Sequence, residues 1–191
     1  MNRKLLVVVI VAAVLALVVG AAVGRNLISS DSTATPRADV VRFKDEVSKV
    51  SIAYPGSWKL LPVPAGEPDV ALRIGLDDTA VMQMRSSEVG FEGVTPKTLH
   101  VVRKFTDSLL ADDPRVSLAT APDAVDLGGV PGYRYRYTFG SGANSGAHDH
   151  YFLFKDKRMI QLVFETASKD RLTALEPGFQ RIAATFKKED A

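Results

Sequence analysis

The chain has 191 residues, 46% hydrophobic and 24% charged, enough for one domain of ordinary size and a short appendage. Its formal charge of +2 belongs to the amino-terminal end: taking Arg3, Lys4 and Arg25 from the 24 basic residues leaves them one short of the 22 acidic ones. Such a balance gives no overall electrostatic footprint for nucleic acid, and the absence of cysteine excludes disulfides and a lipid attached through an N-terminal cysteine.

Leu5 to Gly24 is twenty residues without a charge or strongly polar side chain, thirteen of them Leu, Ile or Val. A bilayer core of about 30 Å needs roughly 20 helical residues, so residues 1–25 read as a signal-anchor, one transmembrane helix. Arg3 and Lys4 hold the amino terminus in the cytoplasm and send the rest of the chain to the extracytoplasmic side of the cell membrane. The competing reading is a cleaved signal peptide with Ala22-Val23-Gly24 as cleavage site, which would secrete the domain. The apolar run exceeds the roughly 7–15 residues of a signal h-region, which favours the anchor. Residues 26–39 (NLISSDSTATPRAD) are too polar to bury a core and read as a flexible linker, leaving residues 40–188 as the domain.

Alternation by two dominates that domain. Val50, Ile52 and Tyr54 share one strand face before Pro55-Gly56; Leu72, Ile74 and Leu76 alternate with Ala71, Arg73 and Gly75. A strand over Val81–Ser86 follows the Asp77-Asp78 turn. Thr95 is placed to cap a helix with Pro96 at its first position, and Leu99, Val102, Phe105 and Leu109 give that helix an apolar stripe. Gly132 to Phe139 alternates aromatic residues with Arg134, Arg136 and Thr138, which makes the tyrosine row core. Tyr151–Lys155 and Met159–Thr166 form a hairpin about Asp156-Lys157. Leu172, Leu175, Phe179, Ile182 and Phe186 outline a closing helix that Pro177-Gly178 is expected to split or kink. The fold class is therefore α+β, a mainly antiparallel sheet flanked by helices and preceded by one transmembrane helix.

Three stretches, Val50-Ser-Ile-Ala-Tyr-Pro-Gly-Ser-Trp58, Leu127-Gly-Gly-Val-Pro-Gly-Tyr133 and Phe179-Gln-Arg-Ile-Ala-Ala-Thr-Phe186, resemble the PsbP-like α/β/α fold family. Within it the chain is most similar to the LpqN/LpqT-type exported proteins of mycobacteria and related actinobacteria. The lipoprotein members hold the membrane through a cysteine that this chain lacks; its hydrophobic helix would replace the lipid. The resemblance implies a non-enzymatic accessory or partner-binding role at a membrane or cell-envelope surface, and it offers no catalytic residue to carry over. In these stretches Trp58 reads as a core anchor, and Gly128, Gly129 and Gly132 as hairpin residues with positive φ.

Two clusters carry candidate binding chemistry. Arg73, Arg85, Arg134 and Arg136, with Gln83 and Gln161, lie opposite the apolar rows of their own strands. On neighbouring strands they would form a basic patch on one side of the sheet, or the floor of a groove under a helix, for an anionic lipid head group or an acidic protein. A solvated face balanced by nearby acids is the other reading. His148 and His150, two apart on a strand, point the same way and give two teeth of a zinc or copper grip, without a recognisable third. The alternative is a pair of exposed residues at the mouth of a hairpin. Gly140–Gly146 has neither the lysine of a phosphate loop nor the spacing of a nucleophile elbow, and reads as a hairpin loop; Asp77-Asp78 and Asp112-Asp113 fall at turns. The sequence thus predicts no enzyme and no cofactor. It predicts a membrane-anchored accessory or binding domain that docks a membrane or envelope protein, or lipid, but no nucleic acid; the alternative is a carrier of a small amphiphile held between sheet and helix. Nothing in the sequence sets the oligomeric state.

Overall fold

Alternation by two builds most of this molecule, and the computed structural model describes it for residues 39–140 and 145–189. The predicted anchor over residues 1–25 and all but the last residue of the predicted linker lie outside the described residues. Among the described residues, no helix is long and apolar enough to cross a membrane.

The elements run β1 (Val40–Asp45), β2 (Val50–Pro55), β3 (Lys59–Leu60), β4 (Val70–Asp77), β5 (Ala80–Glu88), α1 (His100–Ala111), β6 (Val116–Leu118), β7 (Asp123–Leu127), β8 (Val130–Phe139), β9 (Gly146–Lys155), β10 (Arg158–Thr166), α2 (Lys169–Ala183) and β11 (Lys187–Lys188). The strands make two sheets where the sequence suggests one. The larger has the order β3-β4-β5-β10-β9-β8-β6, with β7 also on β8; the smaller is β1-β2-β11. All the described strand pairs are antiparallel.

Each face of the large sheet is covered. Leu72, Met84, Leu162 and Tyr151 stand in register across four strands and pack, with Ile52 and Tyr54 of the small sheet, against Leu172, Phe179 and Ile182 of α2. Phe179 stacks on Phe164 at 4.8 Å and meets Trp58 edge-on at 6.0 Å. Burying an aromatic ring of that size contributes roughly 1.5–3 kcal/mol, which makes Phe179 the pin of this layer. On the opposite face Tyr133, Tyr135, Tyr137, Phe152 and Phe154 pack against Leu99, Val102, Leu109 and Leu110 at α1, confirming the tyrosine row as core.

Both helices depart from expectation at one point. Thr95 does cap a turn, its Oγ1 accepting from Thr98 N at 3.3 Å, but the turn closes by i→i+3 bonds and the α-helix starts only at His100. Pro177 neither splits nor ends α2, which runs from Lys169 to Ala183. The carbonyl it deprives of a donor belongs to Thr173; both residues lie on the exposed side, where water can take that bond, so the apolar stripe continues. Ser168 starts this helix in an extended conformation, its side chain accepting from Arg171 N. Gly128 and Gly129 take positive φ as expected; Gly132 does not, and is glycine because a Cβ there would sit 2.1 Å from the Phe152 carbonyl oxygen.

Candidate functional site

The four arginines do not form one basic patch. Register places Arg73, cross-strand from Gln83, and Arg85, cross-strand from Gln161, on the α1 side of the large sheet. Arg134, opposite Tyr151, and Arg136, opposite Asp149, lie on the α2 side. They are also engaged within the chain. Arg85, 1% exposed, donates Nε and Nη2 to the Asp69 carboxylate at 3.0 Å each, and its Nη1 is 3.3 Å from Glu67. Arg134 makes a fork to Asp149 at 2.6 and 2.7 Å and a third bond to Glu176 at 2.9 Å. Burial works against the Arg134 charge, but the bonds from Asp149 prevail and raise its pKa above the ordinary arginine range. Arg73 donates to the Pro62 carbonyl, and Arg136 reaches Glu176 at 3.4 Å. Arg136 keeps a substantial exposed fraction, 33%, beside a small cleft of about 210 Å³ at the start of α2.

The two histidines share a face as their spacing predicts, but they are buried under α1 and not at an open hairpin mouth. Their Nδ1 atoms converge on one hydroxyl, Tyr137 Oη, at 2.8 Å from His148 and 3.1 Å from His150. With His150 Nε2 donating to Gln161 Oε1 at 3.1 Å, Tyr137 donates to His150 Nδ1 and accepts from His148 Nδ1. His148 Nε2 then faces Glu165 at 3.4 Å. Burial above all, with His148 and Arg85 nearby, holds the His150 imidazole well below the ordinary histidine value, and burial also raises the Tyr137 hydroxyl. Among the described residues, no group of three or more His, Cys, Asp or Glu is placed to hold a metal ion. The pair forms a buried polar chain, with both Nδ1 atoms already committed to Tyr137.

The carrier alternative names no residues; the structure has a groove between the small sheet and α2 whose lining the sequence reading does not identify. It has a volume of about 400 Å³ and mostly apolar walls, formed by Val40, Ala53 and Pro55 on one side and by Leu175, Phe179 and Ile182 on the other, with Trp58 and Leu76 at its base. Gly178 opens it: a Cβ there would meet only Arg181 Nη2, at 3.9 Å. Leu76, Leu175, Phe179 and Ile182 fit a core pattern by periodicity, and the one available signal was a Pro-Gly pair inside an apolar helical stripe.

No protein-family model matches the chain, and no curated protein does. Solved structures match. Cyanobacterial PsbP (CyanoP) from Synechocystis sp. PCC 6803 is 17% identical, with a TM-score of 0.56 over 83% of this chain and 98% of its own. LpqN of Mycobacterium tuberculosis, a protein involved in cell envelope biogenesis, is 16% identical, with a TM-score of 0.54 over 81% and 92%. The Ran-binding protein Mog1p of Saccharomyces cerevisiae, 7% identical, gives 0.50 over 80% and 97%. At such identities the likeness is one of fold. A mainly antiparallel sheet with one helix on each face, shared with CyanoP and LpqN, makes this a PsbP-like α+β domain.

Proposed function

We propose that this chain is a non-catalytic accessory domain that holds an acyl chain in the groove between β2 and α2. The observation that carries the reading is the groove itself, whose volume of about 400 Å³ falls in the range of about 300–1,000 Å³ typical of ligand sites. Its mostly apolar walls suit a hydrocarbon chain removed from water. The pairing of Arg85, Arg134 and Arg136 with internal acids supports the same choice, because it removes most of the charge that a basic docking face would need. In this proposal residues 1–25 anchor the chain and the domain works on the extracytoplasmic side. A 14-residue tether spans roughly 20 Å on average, and the first strand it enters lines the groove with Val40. The groove would then work close to the bilayer surface, within reach of membrane lipid.

A second reading, docking of an acidic envelope partner, is favoured only by Arg136 and the cleft beside it. Its fold relative LpqN is involved in cell envelope biogenesis, which is compatible with either reading.

The test compares the full-length chain with Gly178→Leu. A Cβ at this groove-lining position meets only Arg181 Nη2, at 3.9 Å, so a leucine side chain can start into the groove, and replacing an interior helix glycine favours folding by about 0.5–1 kcal/mol. Native mass spectrometry should show bound acyl species on the parent and their loss from the variant. Equal lipid on both, with a crosslinked protein partner lost on Arg136→Glu, would replace the carrier reading by the docking one.

A further inference from the structure

We infer that the occupant of the groove is a monoacyl amphiphile with an anionic head group, phosphate or carboxylate, held at Arg181; this rests on the groove being the binding site. Arg181 is one helical turn beyond Gly178 and lines the same groove, with Nη2 lying 3.9 Å from where a Cβ of residue 178 would be. It takes part in no ion pair or hydrogen bond among the described residues, whereas Arg85, Arg103, Arg115, Arg134, Arg136 and Arg171 each face a carboxylate. A guanidinium left open beside an apolar slot has a planar fork of donors for a phosphate or carboxylate.

The surroundings reinforce that sign. Arg42 is registered opposite Ala53, a groove-wall residue, and Lys44 and Lys187 are both registered on Ser51. Lys44 and Lys187 both reach Glu189, to which Ser51 also donates; Arg42 donates to Ser51. With Asp39 beside Gly56 as the other acid at this end, four cations stand against two carboxylates. An excess of that kind draws anions to the rim and repels cations. The chain would enter the slot, and the head group would stop where Arg181 meets water.

Trp58, the single tryptophan of the chain, lies in the groove and reports on its occupation. The full-length protein is reconstituted in phosphatidylcholine nanodiscs and titrated with brominated-chain monoacyl amphiphiles that differ only in head group: phosphate, phosphocholine and trimethylammonium. Bromine quenches Trp58 only when the chain is seated beside it. The phosphate amphiphile is expected to quench at concentrations about tenfold lower than phosphocholine, as a charge-assisted bond warrants, with trimethylammonium weakest. Arg181→Ala should abolish the preference and leave phosphocholine quenching unchanged, while Arg181→Lys retains part of it. Quenching by all three at the same concentration, or a preference that survives Arg181→Ala, overturns the head-group inference and leaves the groove reading standing. Absence of quenching by any of them, or quenching that persists in Gly178→Leu, overturns the groove reading itself.

Discussion

Neutralising Asp69 tests whether Arg85 is a structural charge or a binding one. Arg85 is 1% exposed and forks onto Asp69, so Asp69→Asn keeps the shape but strands a buried guanidinium. Breaking a buried pair from one side costs about 3–5 kcal/mol. Glu67 remains 3.3 Å from Nη1 and the Asp69 side chain is itself 19% exposed, which points to the lower end, about 3 kcal/mol. In a domain of about 150 residues each kcal/mol moves Tm by about 2–4 °C, so the variant should melt about 6–12 °C earlier. Neutralising the whole cluster, with Arg85→Met, Asp69→Asn and Glu67→Gln together, should return to within about 1 kcal/mol of the parent, because no uncompensated charge remains. Urea unfolding of the full chain, followed through Trp58 emission, measures both. An Asp69→Asn variant within about 0.5 kcal/mol of the parent would refute the reasoning, because the buried Arg85 guanidinium would then not depend on Asp69.

Two further outcomes follow from the same structure. His150 is held well below its ordinary value of 6.5, so the unfolded chain takes up a proton that the folded chain refuses. Its contribution is fully present above about pH 6.5 and is lost as pH falls below it, by about 1 kcal/mol at pH 5.5. Urea unfolding at pH 7.5 and 5.5 should show that loss in the parent and a smaller one in His150→Gln; equal losses would reject the assignment. Gly128 has φ +58°, and a Cβ there would come within 2.4 Å of the Phe186 carbonyl oxygen and 2.5 Å of Lys187 Cα. Gly128→Ala should cost more than the roughly 1–3 kcal/mol of a strained backbone alone, and Gly66→Ala, at φ +92° with nothing within 4 Å, measures that backbone part. Equal thermal shifts for the two variants would mean that the close approach is not felt.

Periodicity within a strand was legible; its sense relative to the whole sheet was not. Arg85 and Arg134 each lie opposite the apolar row of their own strand, as the sequence says. Because helices cover both faces, the apolar row of β5 looks to α2 while the aromatic row of β8 looks to α1, and the two arginines part company. Their acids arrive from elsewhere: Asp69 from the segment ahead of β4, Asp149 from β9, Glu176 from α2. The burial of His148 and His150 has the same origin, since a strand carrying His-Asp-His looks like an exposed end until a helix lies over it. Pro177-Gly178 misleads for a local reason. Proline costs a helix the bond to its i−4 carbonyl and crowds that carbonyl, and here both Thr173 and Pro177 are exposed, so the apolar stripe is spared. Among the short strands, β11 is two lysines with no strand signal of their own, paired only because β2 offers an open edge.

That last pairing sets a schedule for the chain. Ala53 donates its backbone N–H to the Thr185 hydroxyl, 132 residues away, and accepts from that hydroxyl at its carbonyl, and β11 closes the same edge of β2 two residues later. At synthesis rates of about 5–20 residues per second, β2 waits roughly 7–26 seconds for the residues that complete it. Throughout that interval its free edge is a template for any passing strand, so the newborn protein is most exposed to mispairing until Thr185 and β11 arrive.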